Sequence, residues 1–364
     1  MKIDYVQEKI IISLKKDLNI LLKKKINTAI SSFCFVATWG ENIGFQRVKY
    51  KNIKKLYFFP FLITIIKDWF SLFTQSKIEL SENNNLFNYK KIILSTASLE
   101  DFQKDGSYID RYLKINSNNH SDFLYLLLYT SKKQPQNICK NILLFKKKRS
   151  FFKGVFFLIK YLIKNLSIKN FFYYFSEQSN FAIQFMNLIK KKINFKKVDY
   201  ILVPFEGIPY QQNFILEVKK INKNIKTIGY DHSAPHAMPL NMFHREGSPD
   251  TLLVNGSSQI NFMKKFLNWP NDKLREVPSL RYSEKSSENF KNIVFLPWKI
   301  FDSDKILKDL ELFLDKLTNY SLSPLKVKIH PIAVNKESQA KMKLEIENLF
   351  NKFSEKFSKE SKKS

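Results

Sequence analysis

Two short motifs hold the residue types from which proton transfer and phosphate binding can be built. Phe205-Glu206-Gly207 follows the apolar run Tyr200-Ile-Leu-Val-Pro204, and His330-Pro331 follows Leu325-Lys-Val-Lys-Ile329. A carboxylate just past a buried strand takes a proton from a hydroxyl when partial burial lifts its pKa toward neutrality. Gly207 beside it leaves room for a substrate to approach the backbone. The plainer reading of Glu206 is an acid near the start of the next helix, where the positive end of the helix dipole favours it. Pro331 disfavours a helical backbone at His330 and holds it extended, so that the ring can donate a hydrogen bond to a phosphate oxygen and support a leaving group. A surface histidine in a loop is the alternative. Lys299, in Leu296-Pro-Trp-Lys-Ile300, follows another short apolar run and is a second candidate for a phosphate.

A third concentration lies between Tyr230 and Gly247, where three of the five histidines fall in one turn-rich segment, His232, His236 and His244, with Asp231 ahead of them. Their spacing matches no recognised zinc pattern and no cysteine joins them. Two readings remain open: a substrate-binding loop, or a structured loop without a ligand.

These residues need elements to hold them. Apolar runs at 91–96, 123–129, 141–145, 198–203, 226–230, 251–254, 293–296 and 325–329 read as strands, with a short one at 275–278. Residues 151–192 and 210–221 read as helical, Gly256-Ser-Ser258 opens a helix through Leu267, another starts near Ser303, and a last one starts near Lys336. Upstream, 1–30 reads as a lysine-studded amphipathic helix and Phe33–Thr38 as a strand. Alternation of strand and helix with short connections predicts an α/β protein whose parallel sheet is covered by helices on both faces. In such sheets ligands sit at the carboxyl ends of strands, where the turns at Glu206, Asp231 and His330 fall. The polar run 283–290 divides the chain into lobes at 1–282 and 291–364. Both are expected to be Rossmann-like, the second short: two strand–helix units are visible where a nucleotide lobe uses four or more, so a partner supplies the rest or the chain is truncated.

At 364 residues with 44% hydrophobic and 15% aromatic content, the chain has material for two packed cores. Its formal charge of +28 favours anionic partners such as nucleotide phosphates, acidic glycans or phospholipid surfaces. Nucleic acid is disfavoured, because the charge is spread along the chain and no nucleic-acid-binding signature is present. Cys34 and Cys139 stand isolated in apolar sequence, which argues against a disulfide framework and for a reducing cytoplasm. The N-terminal residues, with Asp4 and Glu8, do not read as a secretory signal, and no apolar run is long enough for a bilayer span. Phe151–Lys164 mixes large apolar residues with Lys153, Lys160 and Lys164 after the basic run Lys146–Arg149. That pattern suits either an interfacial helix on an anionic leaflet or a core-facing helix with snorkelling lysines.

With these motifs in view, residues 198–331 resemble bacterial surface-polysaccharide glycosyltransferases of the GT-B fold, the sialyltransferase-like and capsule-synthesis groups, marked by an acidic motif ending in Gly and by His-Pro. Ile228-Gly-Tyr-Asp-His232 is similar to a Gly-x-x-His turn of related capsule enzymes. The resemblance implies metal-independent, inverting transfer from a nucleotide-sugar donor, a CMP-linked acidic sugar among the candidates, to a lipopolysaccharide or capsule acceptor. No cofactor is implied. An acid would act as base, either Glu206 or Asp231, because the family's acidic pair is reduced here to Phe205-Glu206. His330 would hold the donor phosphate. The family's Ser/Thr-rich phosphate motif downstream of His-Pro has no counterpart, which leaves a non-catalytic glycan- or partner-binding relative as the competing expectation. The implied location is cytoplasmic, peripheral on the inner face of the membrane.

Overall fold

The computed structural model describes residues 77–80, 87–148, 177–232, 240–280, 292–296, 303–316, 325–329 and 344–353, together with 12, 27–30, 156, 159–160, 163 and 174. The chain divides into two compact units, Met1–Tyr282 and Ser283–Ser364.

The first unit is built on one eight-stranded sheet in the order β1-β4-β3-β2-β5-β6-β7-β8. The strands are β1 (Lys77–Leu80), β2 (Lys91–Ala97), β3 (Phe123–Tyr129), β4 (Ile142–Lys148), β5 (Tyr200–Pro204), β6 (Lys226–Tyr230), β7 (Thr251–Val254) and β8 (Leu274–Glu276). All neighbours from β4 to β8 are parallel, and only the edge strand β1 runs antiparallel. β1 was not legible in the sequence: Lys-Ile-Glu-Leu is too short and too charged to stand out, and its pairing with Lys148–Phe145 defines it.

β3, Phe-Leu-Tyr-Leu-Leu-Leu-Tyr, shows why the sheet centre forms: a near-continuous apolar run suits a strand covered on both faces. Alternation then sorts the side chains. Ile92 and Leu94, Leu124 and Leu126, Leu143 and Phe145, Ile201 and Val203 enter one core. Ile93 and Ala97, Tyr125, Leu127 and Tyr129, Ile142 and Leu144 enter the other.

Three helices supply the first core: α1 (Glu177–Ile189), α2 (Pro209–Ile221) and α3 (Ser257–Leu267). α2 starts with Pro209 in its first turn, where a missing N–H costs nothing. It buries Phe214, Ile215 and Val218 on one stripe and ends on Lys219 and Lys220, which suit its negative end. α3 buries Phe262, Met263, Phe266 and Leu267 and is stopped by Asn268 in a left-handed conformation (φ 55°).

The second core departs from expectation. The connections from β2 to β3 and from β3 to β4 contain no α-helix. Loop 98–122 instead lays Tyr108 and Leu113 on the sheet, with Phe102, Tyr112 and Ile115 partly buried beside them. Its composition explains the difference. Ser98, Asp101, Asp105, Asp110 and Ser117 compete for backbone hydrogen bonds and favour turns over helix.

In the second unit, β9 (Asn292–Leu296) pairs in parallel with β10 (Leu325–Ile329), and α4 (Ser303–Lys316) lies between them in sequence. Residues 344–353 are helical. The expected helix at 1–30 is described at position 12, which is helical, and at 27–30, where the chain forms a turn instead; the expected strand at 33–38 and most of 151–176 lie outside the described residues, apart from helical positions 156, 159–160 and 163. Among the described residues no helix is long and apolar enough to cross a membrane.

Candidate functional site

Sheet topology selects one place. From β2 the chain winds outward through β3 to β4, and from β5 it winds the opposite way through β6 and β7 to β8. The carboxyl ends of β2 and β5, where the winding reverses, therefore border the crevice in which doubly wound sheets bind ligands. Three chain segments reach this point: Thr96–Ser98 leaving β2, Phe205–Gly207 leaving β5, and Asp231–His232 leaving β6.

Glu206 stands at its centre. The side chain of Gln211, in the first turn of α2, braces the backbone around it: the Glu206 N–H donates to Gln211 Oε1 at 2.9 Å, and Gln211 Nε2 donates to the Pro204 carbonyl at 2.8 Å. Asn241 Nδ2 donates to the Glu206 carbonyl. The Glu206 side chain keeps 44% of its surface open, so a ligand can reach it. Burial by the surrounding protein nevertheless raises its carboxyl above the ordinary carboxylate range.

His232 meets it directly, with Nε2 3.4 Å from Glu206 Oε1. The histidine is 9% exposed and lies against the ring of Tyr112, centroid to centroid 4.0 Å at 45°. Tyr112 Oη is 3.5 Å from Thr96 Oγ1. Tyr112 thus reaches from the end of β2 to the residue after β6, passing over the end of β5 between them. Below Glu206, Tyr210 is fully buried against Phe181 and Phe185 of α1. Burial, and then the Glu206 charge, push its phenol well above the ordinary range.

The remaining expected residues go elsewhere. Asp231 is 6% exposed and adjacent to His232, but its carboxylate accepts from Gln259 Nε2 in the first turn of α3. Its carbonyl accepts from Asn255 Nδ2 at 3.2 Å, and its N–H donates to the Leu253 carbonyl at 2.9 Å. These contacts tie the ends of β6 and β7 together. Gly207 adopts φ +66°, and a Cβ there would overlap the Asn241 carbonyl. On the side where a Cβ would stand, the close approach that glycine permits is made by the protein's own loop. Gln212 Nε2 reinforces this contact by donating to the carbonyls of Gly207 and Asn241, both at 3.0 Å. His244 packs edge-on against Trp269 at 5.0 Å, with Lys273 Nζ 3.4 Å from its Nε2. Burial, then the Lys273 charge, lower its pKa.

Asp231, His232 and His244 thus face three different partners, and no set of three metal-ligating side chains converges among the described residues. His236, Lys299 and His330 lie outside the described residues.

Sequence reasoning found Glu206 and His232 but missed Tyr112, Thr96, Tyr210 and Gln211. A signal existed for Gln211 alone, a polar residue in the first turn of a helix that opens beside the candidate acid. Tyr112 sits far from the other site residues in sequence, in a segment with no periodicity. Compared with protein-family models and with curated proteins, the chain matches none.

Proposed function

We propose that this protein is a glycosyltransferase, moving a sugar from a nucleotide-activated donor to a hydroxyl of a surface glycan such as lipopolysaccharide or capsule. The observation that carries this reading is the meeting of Glu206 and His232 at the reversal point of the sheet, with the carboxyl accessible yet raised by burial. Glu206 takes the proton of the acceptor hydroxyl as its oxygen attacks the anomeric carbon. The bond from that carbon to the nucleotide phosphate breaks, the phosphate leaves with the electron pair, and the configuration inverts. His232, in contact with Glu206, stabilises the carboxylate and receives or shares its proton. His330 and Lys299 are assigned to the donor phosphate, in a second Rossmann-like lobe of a GT-B arrangement. Metal-independent transfer and a peripheral position on the inner face of the membrane belong to the same reading; exposed Phe156 and Ile163 near the basic run 146–149 support the latter.

The test is calorimetric titration with CMP, CDP, UDP and GDP, followed by transfer assays with sugars on whichever nucleotide binds. One nucleotide is expected to saturate and to lose binding in His330→Ala. Glu206→Gln should bind it normally and lose on the order of 10²–10⁴-fold in transfer rate. Failure of all four nucleotides to bind would sink the transferase reading. Glycan binding without turnover would then take its place, the alternative raised by the reduction of the family's acidic pair to Phe205-Glu206.

A further inference from the structure

Loop 98–122 contains an unusually complete piece of polar construction, and all of it converges on one turn. Asp110 is fully buried. Its Oδ1 accepts from the N–H groups of Tyr112 and Leu113, each at 2.8 Å, and its Oδ2 accepts the Tyr108 hydroxyl at 2.8 Å. The Asp110 N–H donates to the Ile115 carbonyl and the Lys114 N–H donates back to the Asp110 carbonyl, both at 2.9 Å. Tyr108 is locked in turn by its N–H to Ser117 Oγ at 2.8 Å. At the loop's entry, Arg111 pairs with Asp101 and donates to Ser98 Oγ at 2.6 Å. The bonds made by Asp110, Arg111 and Lys114 restrict residues 110–114, and the side chain that this turn delivers to the crevice is Tyr112.

We infer that Tyr112 is a positioning residue, held by the Asp110 turn so that its ring fixes the His232 imidazole with Nε2 toward Glu206. An imidazole rotates about the bond to its Cβ, and rotation would replace Nε2 by carbon at the carboxylate. A ring at 4.0 Å on its flank holds the imidazole plane and hinders that rotation, while the Glu206 carboxylate favours the nitrogen edge. The contact with Thr96 anchors the far end of Tyr112 to β2. The orientation of a pair formed by residues after β5 and β6 is therefore set from the opposite half of the sheet. This assignment rests on the reading of Glu206 and His232 as the proton-handling pair, but its test needs neither donor nor acceptor.

The imidazole signals of His232 in the full-length, isotope-labelled chain are identified by their loss in His232→Gln. They are then titrated with and without Glu206→Gln in four backgrounds: parent, Tyr112→Phe, Tyr112→Leu and Asp110→Asn. Among the described residues, the groups that face His232 are Glu206 and Tyr112, with Asp231 adjacent and turned to Gln259. In the parent and in Tyr112→Phe, which keeps the ring, Glu206→Gln should displace the His232 titration. In Tyr112→Leu, which fills the space without a flat ring, the displacement should fall by at least half, and Asp110→Asn should lie between. Equal displacement in Tyr112→Leu and the parent would overturn the assignment, leaving Tyr112 as packing alone. If Tyr112→Leu does not fold, Asp110→Asn decides by the same criterion. Absence of transfer activity with every donor would remove the transferase reading while leaving this result readable.

Discussion

The two faces of the main sheet are covered by different materials. One is covered by α1, α2 and α3, whose backbones satisfy themselves and which bring stripes of apolar side chains to the core. The other is covered by a loop whose backbone groups must be satisfied one by one, through Asp105, Asp110, Ser117 and Asn141. The tyrosine hydroxyls of this core find partners in and beside the loops: Tyr108 on Asp110, and Tyr125 and Tyr129 of β3 on the Asn116 and Lys133 carbonyls. The comparison teaches what each cover can do. A helix running back along the sheet repeats its contacts and keeps its side chains in a fixed stripe. A hydrogen-bonded loop can instead deliver a single chosen residue, Tyr112, to the strand ends.

If the contrast is real, the two covers should fail by different mechanisms. The largest effect is expected on the helical face. Phe214, fully buried between Phe185 and Phe195, should cost about 4 kcal/mol when cut to alanine, through lost burial and an unfilled cavity. Denaturant unfolding gives the value. On the loop face, no apolar deletion is needed. Asp110→Ala leaves the Tyr112 and Leu113 N–H groups without an acceptor and takes from the Tyr108 hydroxyl the nearer of its two acceptors, and should cost about 3 kcal/mol in the same measurement. A cost under about 1 kcal/mol would break the comparison, because the polar bracing would then be dispensable.

The smallest effect belongs to the seam where the covers meet. Burial raises the Glu206 carboxyl, so its protonated form is favoured in the folded state more than in the unfolded one. The associated stability is fully present below the ordinary glutamate range and is lost as pH rises through the raised value. Glu206→Gln should therefore melt at the same temperature as the parent near pH 4 and at a slightly higher one at pH 8. Equal melting temperatures at both would mean that the site imposes no desolvation cost on its acid.

The strands were legible because buried parallel strands announce themselves as short apolar runs. β2, β3, β5, β6, β7 and β10 fall where those runs lie. The helices at 209–221 and 257–267 were equally plain, since apolar periodicity and terminal residues agree on their bounds. The expectation that strands and helices alternate throughout failed between β2 and β4. There the chain spends its residues on aspartates, serines and asparagines that cap turns, and periodicity has nothing to report. Of the site, Glu206 was visible as an acid at a strand end. That residue 241 fills the space beside Gly207 was not legible, because it depends on contacts between distant segments.

By itself, then, the sequence determined most of the parallel strands and the helices at 209–221 and 257–267, that they form a parallel α/β sheet, and that an acid and a histidine stand beyond two of its strands. Local preference and burial pattern suffice for that, because each is written within a few neighbouring residues. Only the tertiary structure decided that β2 and β5 are neighbours at a reversal of winding, that Asp231 turns to Gln259 while His232 turns to Glu206, and that Tyr112 comes to lie against that histidine. Those outcomes depend on which strands pair and how a turn is capped, interactions between residues far apart in the chain that no local pattern records.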